Sequence, residues 1–323
     1  MKISEKKYNL LEKHSNSDGV IAALAIDQRG AMIKMIPEYE GSERDSIIVD
    51  FKECVSEILT PHSSSILLDP IYGIPASKAR KKDSGLLMAY EVTGYRDDKR
   101  TPALLDDWSV KRLVEAGAEG IKILLYYDVD DEKENNEYKK IFIERVGNEC
   151  LGEDVPFFLE IITYDKNISD SKSKEYAMVK PHKVNESVRE FVKPRYNVDV
   201  LKLEVPVNME YVQGFSDDYV YTAEEAAGYF KEQSDLSTLP FIFLSAGVST
   251  ELFLKTLEFA KKSGSNYNGV LCGRATWAGG VNKYVQSESS GREWLNTVGV
   301  ENINTLNRVL KDTASSWKNK IEK

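Results

Sequence analysis

Residues 120–163 read GIKILLYYDVDDEKENNEYKKIFIERVGNECLGEDVPFFLEIIT, and the alternation of textures within them decides the fold. An apolar, β-branched run (120–127) gives way to a charged loop, then to an amphipathic stretch (137–150). A second apolar run (156–163) follows. Runs this continuously apolar are strands buried on both faces, as in parallel sheets. A helix between two of them predicts parallel pairing through a right-handed crossover.

The same unit recurs along the whole chain. Further apolar runs stand at 20–26 (VIAALAI), 65–68 (SILL), 85–90 (GLLMAY), 198–205 (VDVLKLEV), 239–244 (LPFIFL) and 269–272 (GVLC). Between them lie helix signals. Ile47, Ile48, Phe51, Val55 and Ile58 recur near a period of 3.6 within 46–59. Residues 106–116 open on acidic side chains and stop at Gly117, and Thr222 with Glu225 spells a capping box ahead of 222–233. Helices are also predicted over 187–192, 249–263 and a tail at 288–318, with room for only a short one at 75–81. Eight units in 323 residues predict an α/β fold, a single (β/α)8 TIM barrel spanning 1–323 with a C-terminal helical tail. The runner-up is a doubly wound open sheet, but no GxGxxG or GxxxxGKS/T follows any run.

Composition limits the function classes. A net charge of −9 argues against a general nucleic-acid binder, which needs a basic face to displace counterions. No run reaches the ~18 apolar residues of a membrane helix. The N-terminus lacks the apolar core of a signal peptide, so a cytoplasmic protein is expected. Cys54, Cys150 and Cys272 are widely spaced and read as reduced core thiols. With only His14, His62 and His182 present, a histidine-rich metal site is not expected, and no motif calls for a cofactor.

In a barrel the chemistry stands at the C-terminal ends of the strands. Those positions hold Asp27, Gln28, Arg29, Asp69, Glu91, Lys122, Glu160, Lys202, Glu204, Ser245, Gly273 and Arg274. Two lysines inside apolar strands are the sharpest feature. Either could snorkel outward from a strand margin. Two of them, with Glu160 in the intervening strand, point instead to paired chemistry. A free lysine amine with pKa ~10.4 is a poor nucleophile at pH 7. Desolvation and a neighbouring cation both favour its neutral form, so Lys122 near Lys202 would equip a Schiff-base enzyme. Glu160 would move protons, and Asp27 would orient the lysine or the substrate hydroxyls.

The last two strands lead into SAGVS (245–249) and CGRAT (272–276). Small turns ahead of helices expose backbone N–H groups to an oxyanion. Ser245, Gly247, Gly273 and Arg274 are therefore expected to clamp a phosphate, with Gln28 and Arg29 as further substrate contacts. The plainer reading of these glycines is a pair of tight turns. Trp108, Trp277 and Trp294 read as packing residues, 128–134 as a solvated loop, and His182 as part of a surface loop.

The segments LAIDQRGA (24–31), SSSILLDPIYG (63–73), YEVTGY (90–95), ILLYYDVD (123–130), RYNVDVLKLEVPVNM (195–209), LSAGVS (244–249) and GVLCGRATWAG (269–279) resemble the tagatose 1,6-bisphosphate aldolase family of the bacterial lactose pathway. The resemblance runs through all eight units. It implies a metal-independent class I lyase that splits the ketose bisphosphate into dihydroxyacetone phosphate and glyceraldehyde 3-phosphate. It places the Schiff-base lysine on Lys202, the proton-transferring glutamate on Glu160, the second lysine on Lys122 and the acidic residue on Asp27. Phosphate contacts fall on Ser245, Gly273 and Arg274. The partner is thus a small sugar bisphosphate, and a homodimer is the working expectation for assembly. Alternatives are a fructose 1,6-bisphosphate aldolase, a metal-dependent class II aldolase and a metabolite sensor that retains the site.

Overall fold

The computed structural model describes residues 1–94 and 100–322; Tyr95, the last residue of the YEVTGY segment, lies outside them. Eight parallel strands close into one barrel: β1 (Ile21–Ala25), β2 (Ser65–Leu68), β3 (Gly85–Ala89), β4 (Gly120–Tyr127), β5 (Phe157–Thr163), β6 (Val200–Leu203), β7 (Phe241–Phe243) and β8 (Gly269–Cys272). β8 returns to β1 through the register Ala22 to Val270 and Ala23 to Leu271. The helices are α1 (Glu5–Lys13), α2 (Gly30–Ile33), α3 (Gly41–Leu59), α4 (Ile74–Ala79), α5 (Val110–Glu115) and α6 (Lys133–Gly152). They continue with α7 (Lys174–Phe191), α8 (Ala223–Leu236), α9 (Thr250–Lys262), α10 (Arg274–Gln286), α11 (Glu288–Trp294) and α12 (Val300–Thr313). All eight predicted strands are present at or within two residues of their expected ends.

Strand alternation separates two cores. Leu24, Ile26, Ile66, Leu68, Ile121 and Ile123 face the helices, together with Phe51, Val55 and Val146. Ile21, Ala23, Ala25, Leu67, Leu87, Ala89, Phe158, Val200, Ile242 and Leu271 fill the barrel itself. Following the inward positions upward leads to Asp27, Asp69, Glu91, Lys122, Glu160 and Lys202. The period of two therefore aims every one of these ionisable groups into the mouth.

The chain ends seal the opposite opening. Leu11 from α1, with Trp317 and Ile321, joins the interior cluster. Lys7 on α1 pairs with buried Asp199 at 2.8 Å, just ahead of β6. His14 packs where a side chain on Gly85 or Gly120 would stand, and burial lowers its pKa to about 4. Among the described residues this packing fills the lower end of the barrel, opposite the strand ends that carry the charged groups.

Four expectations are corrected. The helix expected at 187–192 is α7, Lys174–Phe191. Pro181 sits inside it, and Lys180, Lys183 and Asn185 are buried, which hides the apolar periodicity. His182 accordingly lies on a helix, facing Asp130 at 3.1 Å, and not in a loop. The 128–134 segment is not simply solvated: Asp128 is buried and pairs with Lys183. The C-terminal tail divides into α11 and α12, and α10, which opens in the CGRAT turn, precedes it.

Close packing leaves no slack between α6 and the turn ahead of β6. A Cβ on Gly147 would come within 2.0 Å of the Tyr196 carbonyl oxygen. Gly147→Ala is expected to lower stability by about 3 kcal/mol, the upper range for overpacking, measured as a drop in Tm.

Candidate active site

Lys122 is the centre of the mouth. Its Nζ contacts Asp27 Oδ2 at 2.9 Å, Glu91 Oε1 at 2.8 Å and Glu160 Oε2 at 2.8 Å. The other oxygen of Glu160 reaches Lys202 Nζ at 2.7 Å. A continuous string of charges thus runs Asp27, Lys122, Glu160, Lys202, built from β1, β4, β5 and β6. Register makes it possible: Glu160 stands opposite Lys202 in the β5–β6 pairing. All four side chains are largely withdrawn from water, Lys202 retaining 6% of its side-chain exposure.

Burial in such a string is tolerated only with the charges balanced. A second pair lies beside the first, Lys52 from α3 against Asp69 at the end of β2, both fully buried. Asp69 is further held by the backbone N–H groups of Ile71 and Tyr72, each at 3.0 Å. Arg29 is buried and donates from Nη2 to the Glu91 carbonyl at 2.7 Å. Lys52, Lys122, Lys202 and Arg29 then offset Asp27, Asp69, Glu91 and Glu160, four charges against four.

The ionisation states follow from these contacts. Burial pushes Asp27 up, but Lys122 and then Lys202 outweigh it, leaving its pKa at about 2. Burial likewise opposes ionisation of Glu160, and Lys122 with Lys202 hold its carboxyl below the ordinary range. Lys122 loses hydration, yet Asp27, Glu160 and Glu91 raise it well above a normal lysine. Lys122 is therefore a locked ammonium. Lys122 and Lys202 share the carboxylate of Glu160, which stands between them.

The expected phosphate residues gather on the opposite rim. Ala246 and Gly247 both adopt positive φ, 49° and 76°, a tight turn in the loop after β7. A Cβ on Gly247 would stand 3.2 Å from Arg274 Nη2, and one on Gly273 would stand 3.3 Å from Gln28 Nε2. Gln28, Gly247, Gly273 and Arg274 are thus brought together, with α10 opening at Arg274. Glycine at 247 and 273 leaves the backbone bare to a ligand, and a helix start favours an anion. Ser245 lies at the same rim, beside Cys272. Arg29 is not on that rim; it braces the ends of β1 and β3.

No role for Glu91, Asp69 or Lys52 follows from the residue pattern alone. The first two were visible as strand-end carboxylates. Lys52 left one faint mark, a lysine directly after Phe51 on the apolar side of its helix. Glu204, also at a strand end, turns away from the string and accepts from the Thr163 N–H at 2.7 Å, with Lys180 at 3.4 Å. Among the described residues no group of His, Cys, Asp and Glu is arranged to hold a metal ion. Nor is any described helix long and apolar enough to cross a membrane.

Comparison with known proteins accords with this geometry. A protein of Enterococcus faecalis named tagatose 1,6-diphosphate aldolase 2 is 58% identical over 316 residues, covering 97% of this chain and 96% of that one. The tagatose 1,6-diphosphate aldolase of Staphylococcus epidermidis is 57% identical over 323 residues, covering 98% and 99%. An archaeal fructose 1,6-bisphosphate aldolase structure shares the fold at a TM-score of 0.58 and 17% identity, over 94% of this chain and all of that one. The family described as DeoC/LacD family aldolase matches residues 21–279. With that match and relatives of this identity along nearly its full length, the chain belongs to the DeoC/LacD aldolase family.

Proposed function

We propose that this chain is a class I aldolase that cleaves tagatose 1,6-bisphosphate into dihydroxyacetone phosphate and glyceraldehyde 3-phosphate. The observation that carries the reading is the contact of Lys202 Nζ with Glu160 at 2.7 Å, beside a locked Lys122 ammonium. Family membership and the names of the relatives support it.

The proposed course begins with a proton passing from Lys202 to Glu160, which frees the amine to add to the C2 carbonyl. Glu160 then returns a proton to the carbinolamine hydroxyl, which leaves as water and yields an iminium. The iminium accepts the electron pair of the C3–C4 bond as the C4 hydroxyl passes its proton to Glu160, which is ionised again at this point. Glyceraldehyde 3-phosphate departs, the enamine is protonated at C3, and hydrolysis frees dihydroxyacetone phosphate and Lys202. Lys122 keeps Glu160 aimed at Lys202 and in its ionised form when the cycle starts. Asp27, anchored by the same ammonium, faces the substrate hydroxyls. Ser245, Gly247, Gly273 and Arg274, with Gln28, receive the C1 phosphate. The three free, buried cysteines suit a reducing cytoplasm as the setting.

A coupled assay with tagatose and fructose 1,6-bisphosphates, with and without EDTA, tests this. The expected result is cleavage at a rate the chelator leaves unchanged. A rate that falls on chelation and returns with a divalent cation would favour a class II mechanism. Binding of either sugar without turnover would favour a sensor.

A further inference from the structure

The clamp formed by the loops after β7 and β8 receives one phosphate, whereas the proposed substrate carries two. We infer that Arg100, in the segment between β3 and β4, is the anchor for the distal phosphate at C6; this rests on the aldolase reading above.

The guanidinium carbon of Arg100 lies over two rings, 4.1 Å from the centroid of Tyr164 and 4.9 Å from that of Tyr126. Stacking engages the faces of a guanidinium and leaves its in-plane N–H groups free for a bidentate oxyanion. No ion pair is formed by Arg100 with any carboxylate among the described residues, although the chain carries a net charge of −9. The residue is half-buried and holds φ 51°, a left-handed backbone that a non-glycine residue adopts only under local constraint. Tyr164 is itself fixed, its hydroxyl accepting from Lys139 and donating to Asp131, each at 2.8 Å. The arginine is thus seated on a rigid platform.

That platform belongs to the mouth. Tyr126 shares the inward face of β4 with Lys122, two pleats nearer the opening. Leu124 stands between them, and Ile162 is the neighbour of Tyr126 across the β4–β5 register. Leu124, Tyr126 and Ile162 are half-buried, so they offer an apolar wall above the charged string. A ketose bound through C2 to Lys202, with its C1 phosphate at β7 and β8, must extend its C6 end away from that rim. The wall of β4 and β5 faces β8 and β1 across the barrel, and Arg100 is the cation above it.

The test compares Arg100→Ala and Arg100→Lys on the ketose 1,6-bisphosphate and on the matching ketose 1-phosphate. Arg100→Ala is expected to lose ~100-fold in kcat/KM on the bisphosphate, mainly through KM, the scale of a lost charge-assisted contact. Cleavage of the 1-phosphate should be unchanged. Arg100→Lys should recover part of the loss, having the charge without the planar fork. Equal losses on both substrates, or none on the bisphosphate, would overturn the assignment. Titration calorimetry with the same two ligands makes the comparison without turnover. A wild type that binds but does not cleave therefore refutes the aldolase reading while still testing Arg100.

Discussion

Lys202→Met is expected to abolish borohydride trapping of substrate and to cut kcat by about 10⁶-fold, the scale on which removal of a covalent nucleophile falls. Loss of fold does not account for such a result. Methionine fills nearly the same volume, and Glu160 keeps Lys122 as a partner at 2.8 Å, so no buried carboxylate is orphaned. A Tm that falls less than that of Lys122→Met is the accompanying expectation, because one buried cation is lost while each carboxylate keeps a partner. Mass spectrometry after borohydride reduction reads the outcome directly. Substrate mass still added to the variant, located on Lys122, would show that the two lysines have exchanged roles and would defeat the proposed mechanism.

The second large effect is on stability. Lys122→Met removes the one cation shared by Asp27, Glu91 and Glu160, and is expected to cost about 3–5 kcal/mol at neutral pH, as for other broken buried pairs. The pH dependence gives the sharper test. In the wild type Asp27 has its pKa lowered from 3.8 to about 2. A carboxyl lowered on folding contributes stability that is complete above its unfolded pKa and is lost as pH falls through the folded one. For Asp27 that window runs from about pH 4 down to about pH 2. Without Lys122 the burial contribution dominates and the folded pKa rises above the unfolded value. The sign then reverses, and protonation relieves the variant. The stability gap between variant and wild type should narrow as pH is lowered from 7 toward 5, followed by chemical denaturation at each pH. A gap that stays constant would mean that the carboxylates do not depend on Lys122.

Much of this site could be read from residue patterns, for a definite reason. Lys122, Glu160 and Lys202 each interrupt an apolar run, and an ionisable side chain in such a strand is improbable unless something compensates it. The capping box at Thr222 and Glu225 is equally local, and it forms as written. Only the last turns of α7 are legible in the pattern, because ion-paired Lys180 and Lys183 stand where apolar residues would mark the rest. Lys52 carried only the faint mark of a lysine on an apolar helix face, since its partner Asp69 stands at the end of a strand and not on the same helix.

Sequence by itself determined the kinds of element, their alternation, and which strands carry charge inward. These properties depend on spacings of two to four residues, which a local pattern records completely. Only the tertiary structure decided that Asp27 meets Lys122 across 95 positions, that Glu160 separates the two lysines, and that Arg100 settles on Tyr126 and Tyr164. Those pairings follow from strand stagger and loop path around a closed barrel, where the partner of a buried charge is chosen by distance in space and not along the chain.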